Sequence, residues 1–180
     1  MILTLILSGL YYFLPAYFAN MAPVILKKIN FLKYPVDFNK KIGQKRIFGS
    51  HKTWGGLFLA IILGTLVFYL QKLVFTIPFF QNYSLIDYSQ SSILLGLLLS
   101  SGAIIGDLVK SFFKRRISIN PGKPWIPFDQ IDYVLGALAF SAIIYLPKLS
   151  IVLIILIASP LLHIITNLAG YYLRISKTKL

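Results

Sequence analysis

Three of the chain's five acidic residues, Asp107, Asp129 and Asp132, fall in one block, GDLVKSFFKRRISINPGKPWIPFDQIDYVLGAL, residues 106–138, beside Lys110, Lys114, Arg115, Arg116 and Lys123. If the first part of the block is helical, Asp107, Lys110, Ser111, Lys114 and Arg115 stand at i, i+3, i+4, i+7 and i+8 and share one face. One carboxylate, one hydroxyl and several cations then line up. Pro121-Gly122, Pro124 and Pro127 force a turning connection after Arg116, and Asp129 and Asp132 open the next helix. Carboxylates set among lysines and arginines suit magnesium bridging a nucleoside triphosphate, because that ion prefers oxygen ligands and keeps waters and substrate phosphates in its shell. Each residue also has a plain structural alternative. Asp107 could pair with Lys110 or Ser111, Asp129 could cap its helix, and Asp132 could be a first-turn acid favoured by the helix dipole.

A second candidate for phosphate contact is FGSHKTWGG, residues 48–56. Thr53 is a natural N-cap for a helix starting at Trp54, Lys52 is a point cation, and exposed amides at a helix start favour an anion. The competing reading is a capped helix with an interfacial tryptophan. The Gly-x-x-x-x-Gly-Lys-Ser/Thr spacing of a Walker A loop is missing. His51 is a weaker base or phosphate donor than a loop-positioning residue, and Lys123 is a weaker phosphate contact. Asp37, in PVDFNKK, is either a further site residue or a turn former. His163 reads as a polar residue of the bundle interior rather than a ligand. With no cysteine in the chain, thiolate nucleophiles and Cys-ligated zinc are excluded.

The elements that position these residues must be membrane helices. Hydrophobic residues make up 57% of 180 positions, the formal charge is +13 and the mean hydropathy is +0.78, which is wrong for a water-soluble core of this size. A bilayer core of about 30 Å needs about 20 apolar residues per helix. Five stretches qualify: 2–26, 54–76, 91–109, 131–147 and 150–173. The first lacks the basic start and small-residue cleavage pattern of a secretory signal and is read as a span. Sixteen of the 18 Lys and Arg lie in the first and third connections, 27–53 and 110–130, and in the C-terminal tail. The positive-inside rule then puts those loops and the C-terminus in the cytoplasm and the N-terminus outside. The expected fold is all-α: a single transmembrane domain, 1–180, of five helices. Asp37, Asp107, Asp129 and Asp132 would all face the cytoplasm, and acids kept at a membrane boundary are functional candidates. Gly64, Gly96, Gly102 and Gly136 are expected to pack helices closely or to leave a groove for lipid tails.

GDLVKSFFKRR followed by PGKPWIPFDQIDYVLGA, with HKTWGG after a basic loop, resembles the CDP-archaeol synthase family, a short relative of the phosphatidate cytidylyltransferases. Ser111, Lys114, Arg115, Asp129 and Asp132 match the Ser-x-x-Lys-Arg and Asp-x-x-Asp pattern of the larger group. The resemblance covers nearly the whole chain. It implies transfer of CMP from CTP to a lipid phosphate, 2,3-bis-O-geranylgeranylglycerol 1-phosphate in the archaeal branch, giving a CDP-activated lipid and pyrophosphate in phospholipid biosynthesis. It further implies a requirement for Mg2+, here assigned to Asp107, Asp129 and Asp132, with phosphate contacts assigned to Lys52, Thr53, Ser111, Lys114 and Arg115 and partners limited to CTP, the lipid phosphate and the bilayer, without nucleic acid; oligomeric state stays open. Asp107, Lys114, Asp129 and Asp132 are the expected catalytic residues. The chain departs from the bacterial enzymes in having Trp125-Ile126-Pro127-Phe128 where they tend to carry His-Gly-Gly, Gln130 in place of an arginine, and Lys110 in place of an acid. A phosphatidate cytidylyltransferase acting on ester lipids therefore stays open. So does a non-enzymatic protein that binds anionic lipid, although it leaves the aspartates without a task. A transporter would need charge along the helix middles, and a CDP-alcohol phosphotransferase would need a longer acidic pattern than this chain has.

Overall fold

The computed structural model describes residues 2–25 and 31–172. Lys27 and Lys28 of the first basic loop, and Arg174, Lys177 and Lys179 of the tail, lie outside them, as do residues 26 and 173, where the first and last expected spans end.

The chain forms α1 (Ile2–Ile25), a hairpin of β1 (Lys41–Ile42) and β2 (Lys45–Arg46), α2 (Trp54–Val74), the short α3 (Pro78–Asn82), α4 (Ile93–Arg116), α5 (Phe128–Ser141) and α6 (Leu149–Tyr172). Helices α1, α2, α4 and α6 each hold a stretch long and apolar enough to cross a membrane. The third expected span runs on without a break, so α4 carries the whole face from Asp107 to Arg115.

The fourth expected span, 131–147, does not form as one. Helix α5 begins at Phe128 and stops at Ser141 after 14 residues, about 21 Å at 1.5 Å per residue, which is short of a bilayer core. Apolar residues continue to Leu146, but Pro147 disfavours helix just before it. The chain instead tightens into turns, with the amides of Ile144 and Tyr145 both donating to the Ser141 carbonyl at 3.0 and 2.7 Å.

The helices pack through Tyr12, Phe13, Phe68, Leu99, Val134 and Ile155, all fully buried. Pro15 lies inside α1 and supplies no N–H to the Tyr11 carbonyl one turn back. Gln71 of α2 supplies that hydrogen bond instead, its Nε2 donating to Tyr11 O at 2.6 Å, in line with the need to satisfy every backbone group at membrane depth. The tightest crossing is α4 on α5. A Cβ at Gly102 would sit 2.9 Å from Ala137 Cα, one at Gly136 would sit 2.9 Å from Gly106 Cα, and one at Gly106 would strike the carbonyl of Asp132. Glycine at these positions lets two backbones touch, and that contact brings together the two halves of the site.

Candidate active site

Because Gly106 rests on the Asp132 backbone, Asp107 and Lys110 on α4 meet Asp129 and Asp132 on α5. Lys110 is the centre of the arrangement. Its Nζ lies 3.1 Å from Asp107 Oδ1, 2.8 Å from Asp129 Oδ1 and 2.9 Å from Asp132 Oδ2. Two further lysines close the ring: Lys52 pairs with Asp107 Oδ2, and Lys114 donates to Asp129 Oδ1 and Oδ2 at 3.0 and 3.1 Å and to the Lys123 carbonyl at 2.6 Å. Three carboxylates are thus balanced by three ammonium groups. Asp129 sits in the first turn of α5, where Pro127 is the capping residue. Its Oδ2 accepts from the Trp125 amide at 2.5 Å, which fixes the connection before the helix.

The first loop reaches this cluster because it is folded around Asp37. That side chain is buried and pairs with Arg46. It also accepts from the amides of Asn39 at 3.0 Å and of Phe48 and Gly49 at 3.2 Å. Burial would raise the Asp37 carboxyl, and Arg46 with these amides lowers it on balance. The hairpin then docks on the C-terminus of α4. Arg116 donates to the carbonyls of Ile42 and Arg46 at 3.3 and 2.6 Å, and Lys45 Nζ donates to Arg116 O at 3.1 Å. Asp37 and Arg116 therefore shape the loop, while His51 and Lys52 face the cluster.

The start of α2 differs from the expected open anion site. Thr53 is its N-cap, with Oγ1 accepting from the Gly56 amide at 3.2 Å. The amides of Trp54 and Gly55 are taken by the carbonyls of Tyr34 and Leu32, both at 3.0 Å. No first-turn amide is left for a phosphate, because the chain before the helix folds back over it.

Three concavities meet at Lys110. A polar cavity of about 310 Å³ is lined by Asp107, Lys110, Lys114, Asp129 and Lys123, and on its far wall by Asn20, Gln130 and His163. A cleft of about 260 Å³ lies under the first loop and is lined by His51, Lys52, Asp107, Lys110, Ser111 and Arg115. An almost wholly apolar groove of about 520 Å³ runs along the outside of α4 and α5 over Val109, Phe113, Trp125, Phe128, Ile131 and Leu135, and ends at Lys110 and Asp132. Lys110 lines all three. Arg115 is buried, and its Nε has no hydrogen-bond partner among the described residues. His163 Nδ1 is likewise buried without one, so this residue belongs to the wall of the polar cavity. Lys110 is not among the expected site residues, although its i, i+3 spacing from Asp107 places it on the right face.

Among the described residues no three acidic or histidine side chains stand close enough together to wrap one metal ion; the carboxylates are spread around the Lys110 ammonium. The donor chemistry still fits magnesium. Three hard oxygen donors converge on a point that already holds a cation, and the buried Oδ2 of Asp132, although 2.9 Å from Lys110 Nζ, has no hydrogen bond. Magnesium needs only one or two protein carboxylates when phosphates complete its shell.

A charged cluster recessed among membrane-length helices, open to a polar cavity on one side and an apolar groove on the other, is the layout of a membrane-embedded enzyme that joins a polar substrate to a lipid. The sequence profile described as CarS-like, CDP-archaeol synthase, matches residues 2–179. Curated CDP-archaeol synthases are similar over nearly their full length. The protein of Pyrococcus furiosus is 36% identical over 170 residues, covering 94% of this chain and 95% of that one. That of Thermococcus onnurineus is 38% identical over 173 residues, covering 95% of each. A solved structure described as an intramembrane enzyme for archaeal membrane lipid biosynthesis superposes with a TM-score of 0.73 at 30% identity, covering 91% of this chain and 94% of that one. The chain belongs to the CDP-archaeol synthase family and is a multi-pass membrane enzyme.

Proposed function

We propose that this enzyme transfers CMP from CTP to an archaeal diether lipid phosphate, 2,3-bis-O-geranylgeranylglycerol 1-phosphate, releasing pyrophosphate and leaving a CDP-activated lipid. The observation that carries the reading is the lysine and aspartate cluster shared by the polar cavities and the apolar groove. CTP reaches the polar side, where Lys52, Lys114 and Arg115 offer charge to the triphosphate and Ser111 a hydroxyl. The lipid lies in the groove along α4 and α5, with its phosphate at the Lys110 and Asp132 end. A phosphate oxygen of the lipid attacks the α-phosphorus. A new P–O bond forms there as the bond to the bridging α–β oxygen breaks, and pyrophosphate leaves with the electron pair. Positioning and charge neutralisation carry such a displacement, and no protein nucleophile takes part. Asp107, Asp129 and Asp132 would hold magnesium, which when bound neutralises charge on the triphosphate.

The same reading has the whole chain acting as one catalytic unit, with the site facing the cytoplasm, the N-terminus outside and the C-terminus inside. Its support is that the basic first loop, the α4–α5 connection and the site all occur at one end of the bundle. Helix α5 and the turns and coil that follow it, residues 142–148, then make the fourth of the five crossings.

The test is pyrophosphate release by the purified protein with CTP and Mg2+, run with diether and with diester lipid phosphates and with dCTP alongside CTP. Diether phosphate with CTP is expected to be used best, and Asp129→Asn and Asp132→Asn are expected to lower the rate by about 10² or more while inserting normally. Wild-type turnover by both variants would end the assignment of these carboxylates. Preference for the diester would move the substrate to phosphatidate, and no release with any lipid would leave anionic-lipid binding without catalysis.

A further inference from the structure

We infer that Lys110 is a built-in counter-ion that a divalent metal must displace, so that metal binding at the site is conditional on the triphosphate arriving with it. The inference rests on the reading above that the three aspartates receive magnesium, and adds to it what the resident lysine does.

Lys110 Nζ lies within 3.1 Å of an oxygen from each of Asp107, Asp129 and Asp132, so it holds the point that an ion bound by those carboxylates would need. Its side chain is only 13% exposed. An ammonium pushed off such a position without a new partner would be a buried, unpaired charge, which is strongly disfavoured. Two neighbours deepen the penalty. Lys52 is paired to Asp107 and Lys114 to Asp129, so a divalent ion arriving alone would add two positive charges to a cluster already in balance.

A triphosphate removes the obstacle. Lys110 also lines the polar cavity and the cleft beneath the first loop, and lysine carries its charge on a flexible four-carbon stem. The displaced ammonium can therefore swing from carboxylate to phosphoryl oxygen without leaving the site. The carboxylates keep a cation, the ammonium keeps an anion, and the metal comes in only with the substrate it serves. The i, i+3 pairing of Asp107 with Lys110 and the close α4–α5 crossing hold the device ready. An acid at position 110 would add a negative donor to the cluster and remove this competition.

The experiment uses the full chain in detergent and follows free Mn2+ by electron paramagnetic resonance, alone and with the α,β-methylene analogue of CTP. Wild type is expected to bind Mn2+ weakly alone and much more tightly with the analogue. Lys110→Met is expected to bind Mn2+ alone about 10- to 100-fold more tightly than wild type, the range over which residues around a metal alter its affinity, while Lys110→Arg stays near wild type. Lys110→Met binding Mn2+ no better than wild type, with the analogue still recruiting Mn2+ to both, overturns the inference and leaves the magnesium reading intact. Mn2+ ignored by every protein even with the analogue overturns the magnesium reading itself. Should Lys110→Met not fold, the wild-type arms decide: equal Mn2+ affinity with and without the analogue sinks the inference.

Discussion

Gly106→Ala tests whether the site depends on two backbones touching. The added Cβ would lie 2.9 Å from the carbonyl carbon of Asp132, where ordinary contact begins at 3.4 Å, and nearer still to the carbonyl oxygen. Both obstacles are backbone and cannot rotate away, so α4 and α5 must part by roughly 1 Å, at an overpacking cost of about 1–3 kcal/mol. Asp107 and Lys110 move with α4, whereas Asp129 and Asp132 move with α5. A displacement of about 1 Å at reacting groups costs on the order of 10²-fold in rate. Gly64→Ala is the comparison. It also collides, with the Ser100 side chain and the Pro15 carbonyl on the α2 packing face, and lines none of the three concavities at the cluster. Both variants should melt earlier in detergent, but only Gly106→Ala should lose about a hundredfold in CTP-dependent product formation per folded molecule. Equal activity of the two folded variants would refute the claim that the crossing sets the site.

Three further expectations follow from the loop, the groove and the topology. The Asp37 carboxyl is held low in the folded chain, so its stabilisation of the first loop is full above the unfolded value of about 4 and is lost as pH falls through the folded value. Resistance of the loop to limited proteolysis should be flat from pH 5 to 8 in wild type (about one unit above that value upward), and Asp37→Asn should be cut faster throughout. Val109→Trp, which fills the apolar groove, should raise the lipid KM on the order of tenfold and leave the CTP KM in place; a rise in the CTP KM alone would move the lipid elsewhere. Because the chain has no cysteine, single cysteines at Lys41 and Gln90 report topology directly, and a membrane-impermeant maleimide applied from outside intact cells should label only the second.

How far the residues foretold the site depends on whether the relevant contact is local. The α4 face was legible because Asp107, Lys110, Ser111, Lys114 and Arg115 obey helical spacing, and Thr53 was legible as a cap because its partner, Gly56, is three residues away. The central position of Lys110 was not, since it depends on how closely α5 approaches, and that is set by Gly106 meeting the Asp132 backbone. The closed start of α2 was hidden for a similar reason: the carbonyls that occupy it belong to Leu32 and Tyr34, twenty or so residues before. The hairpin at 41–46 is too short and too charged for an alternating pattern to announce it, and its docking through Arg116 spans 70 residues of sequence. Hydropathy misjudged α5 because Ile143 to Leu146 are apolar without being helical.

The apolar groove and the polar cavity share one lining residue, Lys110, as the partition between them. Pulling a lipid out of hydrocarbon costs about 0.8 kcal/mol for each CH2 exposed to water, and carrying a triphosphate into hydrocarbon costs far more. A partition this thin spares both transfers. Each substrate stays in its own solvent, only the phosphate groups need meet, and the product keeps its tails in the bilayer throughout.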